Sequence, residues 1–252
     1  MTSSANSNSR FVSHPPRPPS WVAARAISTT YGWVPPSCAA SAAVVSKSRS
    51  GESSKRSWVK ATSPATWNEL VVDGRGNVYV NGRCEFDFSG GPPKGIIALV
   101  TPDGGVRQVA DAIAFPNGMV VTPDNRTLII GESMAGKLTA FDIEADGSLS
   151  NRRTWADGIG ADGICLDTDG SIWAQSGPME TACVRVREGG EVLDRVELDR
   201  SPFACMLGGP DGQTLFILAA EWRGFEQVEE AIADRTGQVL IANAAASRAG
   251  WP

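Results

Sequence analysis

From Trp67 onward the chain alternates apolar and polar positions in short runs, and each run closes on a tight polar turn. WNELVVDGRGNVYVNG reads as strand, Asp–Gly turn, strand, and GIIALVTPDGGVRQVAD adds a hairpin that turns at Asp103–Gly104. Alternation over so few residues, bounded by Gly, Asn and Asp, is the pattern of half-buried strands rather than helices. The same design returns in PNGMVVTPDN and ADGICLDTDG, where Asn or Asp followed by Gly opens the apolar run. Outer hairpins follow each, KLTAFDIEADGSLSNRRTWAD and ACVRVREGGEVLDRVELD. SPFACMLGGPDGQTLFILAA begins a fourth unit and TGQVLIANA returns to strand. Between them, EWRGFEQVEEAIADR has helical spacing and predicts a short surface helix.

The units keep phase with one another. Asn68 stands eight residues before Gly76, Asn117 eight before Asn125, Asp162 eight before Gly170 and Ala204 eight before Gly212. The steps between units are 49, 45 and 42 residues. A four-stranded unit of about 40–45 residues is a propeller blade. The expected fold is therefore all-β, a β-propeller with about four recognisable blades. Blades are arranged radially, so residues that begin each innermost strand converge at one mouth of a central channel. Asn68, Asn117 and Asp162 are three of the four residues so placed.

Residues 1–67 have a different texture: sixteen serines, eight Lys or Arg, a single acid (Glu52) and no leucine or aspartate. They carry a net charge of +7 against −12 for residues 68–252. A segment with so little to bury has poor means of offsetting its ordering entropy. It reads as an atypical region preceding the propeller domain of residues 68–252: a disordered tail, a transit-like segment, or a stretch translated out of frame. The acidic balance argues against nucleic acid as a partner, and no apolar run is long enough to span a bilayer. Five scattered cysteines, none spaced as C-x-x-C, suit a reducing compartment such as the cytoplasm. The one histidine, His14, leaves no basis for Ser-His-Asp or His-rich metal chemistry in the propeller.

A carboxylate and carboxamide oxygens directed into one space make a hard-oxygen site suited to calcium, magnesium or manganese. Asp162 would supply charge and Asn117 a neutral oxygen, and a cation so held can polarise a carbonyl and acidify bound water. The alternative is that Asx–Gly at a strand start is only turn chemistry. Other polar residues carry less. Glu85 and Asp87 sit in a Gly/Pro-rich loop, and Glu132 either faces the channel or is a solvated edge residue. Trp67, Met119, Trp173 and Phe203 read as inter-blade core. DTDGS at Asp167–Ser171 reads as a hairpin turn.

From Trp67 to Pro252, WNELVVDGRGNVYV, PNGMVVTPDNRTLIIGESMAGKLTAFDI, GADGICLDTDGSIWAQ and RTGQVLIANAAASRAGWP resemble the senescence-marker-protein/gluconolactonase/luciferin-regenerating-enzyme-like (regucalcin) family. That resemblance implies a six-bladed propeller, incomplete here, that hydrolyses small-molecule lactones with one divalent cation. Calcium is the foremost candidate, with zinc, manganese or magnesium as alternatives. It makes Asn117 and Asp162 metal ligands, Asp162 also the general base, and Asn68 a substrate-binding residue. The family's third ligand, a first-blade glutamate within E-G-P-x-W, has no counterpart, and Thr66 stands where many members carry arginine. The expected activity is metal-dependent lactone opening. A non-catalytic calcium-binding propeller and an inactive lactonase fragment remain as alternatives.

Overall fold

The computed structural model describes residues 67–82, 94–177 and 179–249, with two short strands before them, β1 (Ala43–Val44) and β2 (Ser57–Trp58), paired antiparallel. The remainder of the atypical segment and the loop bearing Glu85 and Asp87 lie outside the described residues. The first blade comprises β3 (Trp67–Val72), β4 (Val78–Gly82), β5 (Lys94–Val100) and β6 (Val106–Ala114). The second comprises β7 (Pro116–Val121), β8 (Thr127–Glu132), β9 (Lys137–Ile143) and β10 (Leu149–Asp157). β11 (Cys165–Leu166), β12 (Ile172–Gln175), β13 (Ala182–Val186) and β14 (Val192–Glu197) make the third. β15 (Ser201–Gly208), β16 (Thr214–Ala220) and β17 (Gln238–Asn243) make a three-stranded fourth. Each is an antiparallel meander whose sequence order is its spatial order, which gives the expected propeller arrangement.

Burial follows from blade stacking. The innermost strand β7 is buried at every position, whereas the outer strands β14 and β17 alternate between exposed and half-buried. Three inter-blade cores result. Val71, Ile97 and Leu99 pack on Val121, Leu128 and Ile130, Val120, Ile129 and Leu138 on Ile164, Leu166 and Ile172, and Trp173 and Cys183 on Cys205, Leu215 and Ile217. Met119 and Trp173 are core residues as expected. Phe203 and Trp67 are only half-buried, and Phe203 instead meets Trp222 edge-on at 5.9 Å between ring centres. The helical spacing after Glu221 gives one short helix, α1 (Val228–Ala233), with no buried residue. Among the described residues no helix is long and apolar enough to cross a membrane.

The phase read from the sequence has a backbone cause. Gly76, Asn125, Gly170 and Gly212, the four turn residues, have φ of +84°, +57°, +77° and +75°. Only glycine, and less readily Asn, enters that region cheaply. In blades one and three an aspartate closes the turn: Asp73 Oδ1 accepts from the amides of Arg75 and Asn77, both at 2.9 Å, and Asp167 Oδ1 from those of Asp169 and Ser171 at 2.9 and 3.0 Å. DTDGS is thus a hairpin turn, and Asp167 is further held by Arg185 Nε at 2.6 Å.

The Asx–Gly pairs are not turns. Neither Gly118 nor Gly163 has a positive φ. A Cβ on Gly118 would stand 2.5 Å from the Asp162 carbonyl oxygen, and one on Gly163 would stand 2.7 Å from Ala204 Cβ. Glycine is required because successive innermost strands touch backbone to backbone. Glu132 also departs from expectation. It is 2% exposed and neither solvated nor free. Its carboxylate accepts from the Ala114 amide (2.8 Å), Thr139 Oγ1 (2.6 Å) and Arg152 (2.9 Å), tying the first blade to the second. Burial pushes its pKa up, but these donors and the Arg152 charge outweigh burial and hold it below its ordinary value.

Two outcomes follow. Gly118→Ala forces a methyl onto neighbouring backbone and should cost about 1–3 kcal/mol, read as a lower thermal midpoint; an unchanged midpoint would contradict the close approach. Glu132 has a depressed folded pKa, so its contribution is present above its ordinary value of 4.5 and lost as pH falls through the lower folded value. Glu132→Gln should therefore be less stable than the parent at neutral pH, with the gap narrowing on acidification in urea-denaturation series.

Candidate functional site

Where the innermost strands begin, the sheet ladder slips. In the first blade Trp67 pairs with Gly82 and the next pair is Leu70 with Val80, so Asn68 and Glu69 together oppose Asn81. In the second, Pro116 pairs with Glu132 and the next pair is Met119 with Ile130, so Asn117 and Gly118 oppose Gly131. A bulge of this kind bends the strand and re-aims the side chains it carries. In the third blade pairing begins only at Cys165, which leaves Asp162 and Gly163 ahead of the ladder.

Hydrogen bonds join these starts into one row. Asn68 Nδ2 donates to the Pro116 carbonyl at 3.1 Å and to Asn117 Oδ1 at 3.3 Å. Asn81, fully buried, donates to the Asn117 carbonyl at 2.6 Å and accepts from the Glu69 amide at 3.3 Å. Asn117 Nδ2 donates to Ser133 Oγ at 3.2 Å, and Ser133 Oγ donates to the Ala161 carbonyl at 2.6 Å. The Gly118 amide donates to the Asp162 carbonyl at 3.0 Å, which sets Asn117 and Asp162 beside one another. The three residues singled out by phase, Asn68, Asn117 and Asp162, therefore stand side by side on three consecutive blades. The fourth position by phase, Ala204, offers no polar atom, and the residue whose carbonyl takes the Gly163 amide, as that of Asp162 takes the Gly118 amide, is Phe203 one place earlier.

Electrostatics separates Asp162 from the structural carboxylates. Burial, and then the negative charge of Glu69, push its pKa up to about 7, against the opposing pull of Asn117 and the Gly163 amide. Burial raises Glu69 as well. No lysine or arginine among the described residues contributes charge to either group. Two carboxylates thus share a partly dry space without a counter-charge from the described residues. A divalent cation fits that donor set of carboxylate and carboxamide oxygens. The residues able to hold one are Asn117 and Asp162. Among the described residues, no three His, Cys, Asp or Glu side chains converge on their own.

Glu69 is the residue that sequence reasoning missed. Strict strand alternation sends neighbours Asn68 and Glu69 to opposite faces, and the bulge that overrides it is a backbone event. One signal was present: the position after the phased residue is glycine in the next two blades and glutamate in this one.

The profile of the SMP-30/gluconolactonase/LRE-like region matches residues 24–221. Regucalcin of Danio rerio is 29% identical over 171 residues, covering 61% of this chain and 54% of the relative. The chain thus spans about half the length of the curated relatives it matches. A solved gluconolactonase from Xanthomonas campestris is 28% identical with a TM-score of 0.50, covering 61% of this chain and 54% of that one. A luciferin-regenerating enzyme superposes with a TM-score of 0.65 at 17% identity, covering 83% and 74% of the two chains, a likeness of fold. With the blade order and the family match extending over most of its length, the chain belongs to the SMP-30/gluconolactonase/LRE-like family.

Proposed function

We propose that this protein is a divalent-metal-dependent hydrolase that opens the ring of a small lactone. The observation that carries this reading is the row Asn68–Asn117–Asp162, whose last member is a carboxylate without a cationic partner among the described residues. Asn117 and Asp162 would hold the cation. When bound, it would polarise the lactone carbonyl and neutralise charge developing on its oxygen.

The remaining work falls to the chain. Asp162, the one carboxylate of the row, takes a proton from the attacking water. Asn68, exposed at the head of β3 with its amide nitrogen engaged by Pro116 and Asn117, presents its carboxamide oxygen, unpaired among the described residues, to a substrate hydroxyl. Beyond Asp162 the next blade begins with an aromatic residue. Phe203, whose carbonyl accepts from the Gly163 amide at 2.9 Å, packs edge-on against Trp222, which meets Phe225 in the same way. Gluconolactonase membership supports a sugar-type lactone, and the buried free thiols of Cys165, Cys183 and Cys205 suit a reducing compartment such as the cytoplasm.

Purified full-length protein with calcium and a sugar lactone should release protons, measured in weakly buffered medium with a pH indicator, and EDTA should stop it. Asp162→Asn should lower the metal-dependent rate by about 10²–10⁴-fold, the usual span for a general base. Turnover that survives both EDTA and Asp162→Asn would overturn the mechanism, and absence of turnover by the calcium-loaded parent would overturn the assignment as a hydrolase.

A further inference from the structure

The fourth blade is apolar on both faces. Its strands read SPFACMLG, TLFILAA and QVLIAN, with no charged residue in any of them. A near-continuous apolar run is what a strand needs when both of its faces are covered; a strand with one solvated face alternates apolar with polar. The outer strand of the third blade, β14, shows the second pattern, with Asp194, Arg195 and Glu197 among its six residues. In the fourth blade one face is accounted for, because Cys205, Leu207, Leu215 and Ile217 pack on Trp173 and Cys183 of the third. The opposite face carries Met206, Phe216 and Ile241 in one cross-strand row and Leu218 and Val239 in the next. There Met206, Leu218, Val239 and Ile241 are 45%, 48%, 66% and 71% exposed, so no other described sheet lies on them.

We propose that this face packs on the same face of a second copy of the chain, joining two propellers about a two-fold axis. The geometry is one the protein already uses. Its inter-blade cores are apolar sheet faces stacked on one another, and a second copy presents one more such face. Charge favours the same occupant. Residues 68–252 carry a net charge of −12, so two copies repel over much of their surface. A two-fold contact sets each patch against itself, and this patch has no charge to repel. The area suffices as well. The four exposed side chains offer on the order of 400 Å² per copy, the size of patch that marks contact surfaces on soluble proteins. With Phe216, Thr214 and Asn243 at the rim, two copies would bury about 1,000 Å², the lower bound for a specific interface. The expected association is therefore a reversible monomer–dimer equilibrium. Residues 1–67 are a poorer occupant, since they contain no leucine and carry a net charge of +7 that no acid on this face would meet.

Sedimentation velocity of the full-length protein over a range of concentrations tests this. The parent should pass from the 26.6 kDa monomer to a dimer as concentration rises. Ile241→Glu sets two carboxylates against each other near the axis and should weaken dimerisation at least about tenfold, and Val239→Glu should do the same. Both side chains are exposed in the monomer, so the thermal midpoints of these variants at monomeric concentration should match that of the parent. Val192→Glu, at an exposed position of β14, should dimerise as the parent does. A parent that stays monomeric at every concentration would overturn the proposal. So would a dimer that Ile241→Glu and Val239→Glu leave intact, or one that Val192→Glu weakens equally. Growth past the dimer would overturn the two-fold arrangement, because such a contact closes at two copies.

Discussion

The site depends on backbone contact between the heads of successive innermost strands. The Gly118 amide reaches the Asp162 carbonyl at 3.0 Å and the Gly163 amide reaches the Phe203 carbonyl at 2.9 Å, so each blade's first strand is hydrogen-bonded to the next where it begins. These bonds run between sheets, where ladder pairing offers nothing, and they need a residue without a side chain to form. The inter-blade cores bring the sheets together along their faces. The glycine contacts fix which ends meet, and so turn a repeat along the sequence into a row in space.

Within that frame the carboxylates sort by how their charge is met. Glu132 and Asp167 are almost wholly buried, yet each is surrounded by donors and arginine, and both bind elements together. Donors of that kind favour the charged form of a carboxylate. Asp162 is pushed the other way, by burial and by the charge of Glu69, against the weaker pull of Asn117 and the Gly163 amide. A fold able to provide Arg152 for one acid and Arg185 for another leaves Asp162 and Glu69 without either. That contrast sets these two acids apart from the structural carboxylates, and it underlies the metal-dependent reading proposed above.

Much of this was legible in the sequence because it is repeated. Gly76, Asn125, Gly170 and Gly212 must enter the left-handed region to close their turns, so they recur at a fixed distance from the strand head and reveal the phase of every blade. Phase alone brought Asn68, Asn117 and Asp162 together. What resisted reading was not periodic. The bonds of Glu132 come from residues up to 20 positions away on other strands, and nothing local announces them. Gly118 and Gly163 resemble turn glycines until the neighbouring strand is in place. Glu69 was concealed by a bulge, which shifts a side chain without altering the pattern of apolar residues around it.

The row also has a direction. Matched by their contacts with the preceding blade, the strand heads are Asn68–Glu69, Asn117–Gly118, Asp162–Gly163 and Phe203–Ala204, so polarity is strong over three blades and gone by the fourth. There the Ala204 methyl stands against Gly163, and Cys205 behind it is buried with its thiol donating to the Trp173 carbonyl at 3.2 Å. Aromatic rings from Phe203, Trp222 and Phe225 continue that side. The repeated strand heads are thus unequal: three blades contribute polar side chains to the row and the fourth contributes carbon, so the repeat of the backbone is not a repeat of chemistry.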